Sequence, residues 1–352
     1  MKIALCCSVK KKDSDKPPDH FSEFDSEETV LSIASSIKSL GYEVVIVEAN
    51  ESRNLINFFQ NNPVDLVFNI AEGSGSRFRE SEVPALLDYL NIPYTGSNFL
   101  SLALALNKAM AKKIFKCEGI PTPKFQIFDN SPNQKLDPDL RFPLIVKPNY
   151  EGSGKGISIS SVVRNEGDLY RQIGDILSGY RQEALVEEFI EGKELTVGIL
   201  ENGKTLVLPI LEIDFSTCKK SGEYFYSWKV KEFQGNEELG LAPDFYCPAR
   251  LGQEAAEKVK ETALRAHLAL GCLDISRVDI RLSHDNIPYV LEVNPLPGLD
   301  PKESNFPKIS RAQGIEYKDL IKSIIDNAAR RYGICQYAER VYAANSRTGG
   351  PN

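Results

Sequence analysis

Residues 276–298 read Ser276-Arg-Val-Asp-Ile-Arg-Leu-Ser-His-Asp-Asn-Ile-Pro-Tyr-Val-Leu-Glu-Val-Asn-Pro-Leu-Pro-Gly298. The runs 276–282 and 288–292 predict two strands joined by a turn at 284–287. Alternation puts Arg277, Asp279 and Arg281 on one face and Val278 and Ile280 on the other. On the second run Glu292 and Asn294 share a face. If the two polar faces coincide, Asp279, Glu292 and Asn294 converge as three hard oxygen ligands, the kind of set that Mg2+ takes beside phosphates. Two solvated polar faces would have the same letters. Against that, Glu292 and Asn294 flank Val293 directly before a Pro-x-Pro-Gly break, which puts the acidic end of the strand at a sheet edge.

Upstream lies Phe142-Pro-Leu-Ile-Val-Lys-Pro-Asn-Tyr-Glu-Gly-Ser-Gly-Lys-Gly156. Its apolar strand ends on Lys147, a compact positive charge suited to a phosphate. The loop after it carries Gly152, Ser153, Gly154 and Gly156, and backbone N–H groups of such a turn can close around phosphate oxygens. The spacing is not that of a Walker A loop, and an ordinary glycine-rich hairpin is the plainer alternative. Nearer the N-terminus, strands are expected at 2–9, 42–48 and 64–70, with helices at 26–40 and 83–90. That alternation predicts a parallel α/β sheet. A helix is expected at 102–117, then strands at 124–128, 144–147, 156–160 and 185–188 around a helix at 165–179. Beyond 190, strands at 194–201 and 205–212 and helices near 252–270 and 318–332 complete the pattern. The segment 8–28 reads as a polar loop and the last 18 or so residues as a frayed tail.

The chain has 352 residues, which allows two or three domains, and 42% of them are hydrophobic, enough for a real core. A net charge of −7 argues against a broad nucleic-acid or anionic-membrane partner. The N-terminus is apolar only briefly before Lys10, the reverse of a signal peptide. No apolar run reaches the roughly 20 residues of a membrane span. A cytoplasmic location is therefore expected. The seven cysteines form no CxxC pair and read as reduced thiols, and the three histidines lack metal-ligand spacing.

Taken in order, these pieces resemble the ATP-grasp superfamily, and most closely its D-alanine–D-alanine ligases. The pieces are a lysine opening a helix, a strand lysine with a glycine-rich loop, Val-Glu-Glu-Phe-Ile, Arg-x-Asp and Glu-x-Asn-x-x-Pro-Gly. The resemblance covers roughly residues 1–334 and is most specific at 92–97, 147–157, 277–279 and 292–298. It implies an ATP-grasp fold, α/β in an N-terminal parallel domain (1–97) and α+β in a central subdomain (98–188) and a C-terminal one (189–334), followed by the tail (335–352). It implies that Lys108 and Lys147 touch ATP phosphates under a 152–156 flap. Glu187 would accept the adenine amino group, Phe189 and Ile190 would wall the ring, and Glu194 would hold the ribose. Lys231, with Lys229 as its rival, would reach the terminal phosphate. Asp279, Glu292 and Asn294 would hold Mg2+ or Mn2+. Arg277 and the Gly298 N–H would stabilise the transferring phosphoryl group and the oxyanion, with Ser153 against the substrate. The implied activity is ATP-dependent carboxylate–amine ligation on small amino-acid or carboxylate substrates, in a family that often forms homodimers.

The first-domain motifs depart from the family pattern. The usual His-Gly and Gly-Glu-Asp-Gly stretch is replaced by one holding Arg77, Arg79 and Glu80. The family's first-helix glutamate has Asp25, Glu27 and Glu28 as candidates. Glu232 stands where a tyrosine is usual, while Ser304 matches a position that binds the second substrate's carboxylate. Arg77 and Arg79, near a strand end, could grip a substrate carboxylate or simply be solvated. The expected function is thus a ligase with an altered amino-acid substrate. The alternatives are a true D-alanine–D-alanine ligase, a kinase stopping at the acyl phosphate, or a catalytically silent ATP-binding protein.

Overall fold

The strand β1 (Lys2–Cys7) is buried from its second residue onward, as a strand covered on both faces must be. It is the centre of a parallel three-stranded sheet flanked by β2 (Glu43–Glu48) and β3 (Leu66–Ile70). The helix α1 (Glu27–Ser39) starts where the Ser26 side chain accepts from the Thr29 N–H, and it buries Val30, Ile33, Ala34 and Ile37 at helical spacing. The helices α2 (Ser52–Asn61) and α3 (Arg79–Tyr89) complete this unit; α2 escaped the sequence reading, and α3 begins four residues earlier than expected. The computed structural model describes residues 1–10, 19, 21–50, 52–73, 75–131, 134–201 and 203–334. The tail, with Cys335, and positions 11–18 and 20 of the expected loop lie outside them.

The single helix expected at 102–117 is two: α4 (Phe99–Leu106) and α5 (Lys108–Cys117). Asn107 leaves helical geometry, and its side chain accepts from the Met110 N–H, so one helix ends where the next is capped. The cap puts Lys108 at the first position of α5. The next sheet is four-stranded and antiparallel, in order β4 (Phe125–Phe128), β7 (Ala184–Glu188), β5 (Leu144–Pro148) and β6 (Val162–Val163), backed by α6 (Glu166–Gly179). The strand expected at 156–160 is absent. Gly156 is left-handed at φ +72°, and a short 3-10 turn occupies Ile159–Ser161.

The third sheet has five antiparallel strands: β10 (Asp244–Tyr246), β9 (Thr205–Asp214), β8 (Gly192–Glu201), β11 (Ile275–Ser283) and β12 (Pro288–Asn294). Around it lie α7 (Trp228–Glu232), α8 (Gln253–Ala269), α9 (Asn305–Ala312) and α10 (Tyr317–Arg331). The cores do not follow the expected segments. Ala105, Ala111 and Phe115 of α4 and α5 join the cluster of Val197, Val259 and Val278 from the five-stranded sheet and its helix. A second cluster unites Ile3, Leu5 and Ile33 with Leu208, Phe306 and Ile324, so the N-terminal unit is cemented to the C-terminal one. No helix among the described residues is long and apolar enough to cross a membrane.

Candidate active site

The antiparallel register of β11 and β12 sets Asp279 opposite Glu292 and Arg277 opposite Asn294. The polar faces therefore coincide. The Asn294 amide donates to Asp279 Oδ2 at 3.0 Å. Arg277 grips the same carboxylate from both sides, Nε to Oδ1 at 3.0 Å and an NH2 group to Oδ2 at 2.8 Å, and the Thr196 hydroxyl also donates to it. Glu292 pairs with Lys108 at 3.0 Å. Burial works to raise the Glu292 pKa, but Lys108 and then Lys147 outweigh it and hold the carboxyl well below the usual range. The result is a strand-edge cluster of hard oxygen donors, a set whose chemistry fits a divalent cation such as Mg2+.

Two lysines of α5 point inward from one helix face, and the first of them meets this cluster. Lys108 reaches the Glu151 carbonyl at 2.7 Å as well as Glu292. Lys112, one turn on, reaches Glu187 at 2.8 Å and Thr122 Oγ1 at 2.9 Å. The other Glu187 oxygen accepts from Lys147 at 2.5 Å. This carboxylate, expected to meet a nucleobase, lies between two ammonium groups. Burial raises its pKa, but the two lysines lower it more. Glu194 pairs with Arg281 at 3.0 Å and accepts from the Tyr226 N–H. Arg281 stacks its guanidinium on Phe189, 4.9 Å from the ring centre.

The glycine-rich loop is folded down rather than extended. Ser153 and Gly154 are left-handed at φ +53° and +70°. A Cβ on Gly154 would come 2.9 Å from the Trp228 backbone nitrogen, so only glycine allows this approach. Lys231 on α7 donates to Ser153 Oγ at 3.1 Å. Burial first, then Arg277, brings the Lys231 pKa down to about 8. Lys229, its rival in the sequence, is exposed.

Two cavities adjoin. The narrower, about 110 Å³, is lined by Lys147, Glu187, Phe189, Ile190, Glu194 and Asp279 among others. The wider, about 430 Å³, is lined by Asp25, Glu72, Glu80, Asn294, Gly298 and Ser304 among others. Lys108, Ser153, Lys231, Arg277 and Glu292 line both. Gly152 lines the wider cavity and Gly154 the narrower. A Cβ on Gly298 would lie 2.8 Å from Ser304 Oγ, so a larger residue there would have to displace that hydroxyl.

Three substrate-side expectations change. Glu27 is exposed in the first turn of α1, away from both cavities, and its neighbour Glu28 pairs with Lys302 at the surface. Arg77 is a bridge: it is exposed, pairs with Glu183 at 2.8 Å and stacks on Tyr150. Arg79 is buried and already occupied. It donates to both Glu23 oxygens and, at 2.8 Å, to the Tyr150 carbonyl, so it has no bidentate face left for a substrate carboxylate. The reading of an acid-rich substrate loses its support, because both guanidiniums answer carboxylates of the chain itself. Glu23, Glu72, Lys112 and Asn305 were missed, and Glu80 was noted only as a departure from the family pattern. The i, i+4 spacing from Lys108 could have flagged Lys112. No local signal marks Glu23 or Asn305, whose Oδ1 is buried without a hydrogen-bond partner.

Known proteins resemble this chain over most of its length. Residues 114–326 match the family described as D-ala D-ala ligase C-terminus. A D-alanine–D-alanine ligase of Carboxydothermus hydrogenoformans is 36% identical over 293 residues, covering 81% of this chain and 87% of the relative. An uncharacterized protein of Sinorhizobium fredii is 32% identical over 307 residues, 86% of this chain and 87% of that one. The crystal structure of the Bacillus anthracis D-alanine–D-alanine ligase complexed with ATP superposes with a TM-score of 0.73 at 28% identity, over 95% of this chain and 99% of that one.

Proposed function

Because the chain belongs to the D-alanine–D-alanine ligase family, ATP-dependent carbon–nitrogen ligases of ATP-grasp fold, we propose that it joins two amino acids through an acyl phosphate, with at least one substrate other than D-alanine. The observation that carries the ligase chemistry is the junction of the two cavities at Lys108, Lys231, Arg277 and Glu292. A nucleotide in the narrower cavity would direct its terminal phosphate toward a carboxylate held in the wider one.

The chemistry follows from charge. A carboxylate oxygen attacks the γ-phosphorus and ADP leaves, converting a poor electrophile into an acyl phosphate. An amine then attacks the acyl carbon, the tetrahedral oxyanion collapses, and inorganic phosphate departs. The protein's task is positioning and charge neutralisation. Lys108, Lys147 and Lys231 serve the phosphates, and the loop at 152–156 excludes water. Arg277 and the Gly298 N–H face the developing oxyanion. Mg2+ or Mn2+ held by Asp279, Glu292 and Asn294 would neutralise charge on the β- and γ-phosphates.

Support for an altered substrate comes from the wider cavity. Glu72 stands at the strand end in the stretch where the family pattern has its histidine, and Glu80 and Asp25 line the same wall. Burial, with Glu80 next, pushes the Glu72 carboxyl well above the usual range. Such a wall favours ammonium groups over an added carboxylate. The test is ADP release with MgATP across single and paired amino acids, with mass spectrometry of the products. An amide from a pair other than D-alanine with itself, with D-alanine alone silent, is the expected result. Turnover of D-alanine alone to its dipeptide would instead identify a D-alanine–D-alanine ligase. ADP release that never requires an amine would favour the kinase reading.

A further inference from the structure

Lys112 is fully buried, 0% exposed, and lines neither cavity. An ammonium in such a place is costly unless its charge and protons are answered. Glu187 Oε2 lies at 2.8 Å and Thr122 Oγ1 at 2.9 Å. The Thr122 hydroxyl in turn donates to the Val290 carbonyl at 2.8 Å, on the strand that carries Glu292. Glu187 is itself 2% exposed, and its other oxygen holds Lys147. One carboxylate thus serves two lysines, of which only Lys147 faces the narrower cavity. With Lys147 as its sole counter-ion, Glu187 would hold that ammonium in a one-to-one pair and leave little net charge for a phosphate. With Lys112 behind it, the carboxylate is already neutralised.

We propose that Lys112 is a positioning residue for the nucleotide site: it neutralises Glu187 from behind, so that Lys147 carries a full positive charge into the cavity. This rests on the narrower cavity being the ATP site. The lysine touches no substrate and acts only through Glu187 and Lys147. Its effect therefore belongs to nucleotide affinity, not to the chemical step or the amino-acid substrate.

The test is MgATP affinity by calorimetry on the full chain, alongside steady-state kinetics. Lys112→Met is expected to weaken MgATP binding about tenfold, with kcat and the amino-acid KM within about threefold of the parent. K112M/E187Q removes both charges, frees Lys147, and is expected to recover most of the lost affinity. Thr122→Val keeps both charges and removes the second acceptor of Lys112 together with the donation to the Val290 carbonyl; it is expected to weaken MgATP binding about threefold and remains informative if Lys112→Met does not fold. Unchanged MgATP affinity in a folded Lys112→Met or in Thr122→Val overturns the proposal, as does a double variant no better than the single. A parent chain that binds no MgATP would overturn the assignment of the cavity instead. A parent that binds MgATP but ligates nothing still reads the Lys112 effect, so the two failures are distinct.

Discussion

Asp25 lines the wider cavity, and among the described residues its side chain makes no hydrogen bond or ion pair. Burial first, then Asp300, pushes its pKa up to about 7. Unfolded, the same carboxyl titrates near ~4. A carboxyl that holds its proton more tightly when folded takes one up on folding, so its contribution to stability falls as pH rises from about 4 to about 7 and is flat above. Asp25→Asn removes that penalty. Denaturant unfolding without ligand is expected to find the variant more stable than the parent at pH 8, by roughly 2 kcal/mol once cavity solvent is allowed for, with less than half of that gain at pH 5. An equal difference at both pH values would mean that Asp25 titrates normally. The group is strained because it is poised for a partner the chain does not provide, which is how binding sites trade stability for function.

At the scale of elements, the glycine-rich loop is held by the N-terminal segment as well as by its own turn. Glu23 accepts from the Gly152 N–H at 2.7 Å while Arg79 clamps its carboxylate. Lys155 stands 3.6 Å from the same carboxylate. Burial opposes ionisation of Glu23, but Arg79 and Lys155 lower its pKa below the ordinary value. On the far side, the Trp228 N–H donates to the Ile157 carbonyl, and the Trp228 indole donates to Ser22 Oγ at 2.8 Å. Loop, α7 and the segment around Ser22 therefore form one closed lid. Glu23→Gln keeps the shape and removes the charge that Arg79 answers. It is expected to raise ADP formed per amide formed at least ~3-fold, because a loosened lid admits water to the acyl phosphate. A ratio that stays at one, with the ATP KM unchanged, would show that the loop closes without this clasp.

Across the whole molecule, the first unit is tied to the last helix through one buried acid. Asp274 accepts from the Gly96 N–H at 2.7 Å and pairs with Arg331, which also donates to the Tyr94 carbonyl at 2.9 Å. The Asp274 side chain is 1% exposed. Arg331→Met leaves that carboxylate without a counter-ion and is expected to cost about 3 kcal/mol in denaturant unfolding. A loss below ~1 kcal/mol would mean that the shared core around Ile3, Ile33 and Ile324 alone holds the units together.

Much of this could be read from the chain alone. Period-two alternation brought Asp279, Glu292 and Asn294 to one face, because side chains of adjacent antiparallel strands are bound to their register. Glycines at 154 and 156 announced a turn with left-handed backbone, and the lysine opening α5 and the one ending the apolar run of β5 were legible as phosphate candidates. Such signals are local and survive without a fold. The partners of Arg79 were not legible, since Glu23 is 56 residues away and nothing in either neighbourhood names the other. Glu27 and Asp25 look alike in sequence, yet Glu27 stands in solvent in the first turn of α1, while Asp25, just before the helix cap and bridged to Val9, lines the cavity. The sequence by itself determined most of the elements, the ATP-grasp frame and the shared face of Asp279, Glu292 and Asn294, because strand alternation and turn chemistry are written within a few residues of each charge. Only the tertiary structure decided which charges are spent on one another and which face the wider cavity, because burial and long-range pairing set whether a charged group is free to meet a substrate.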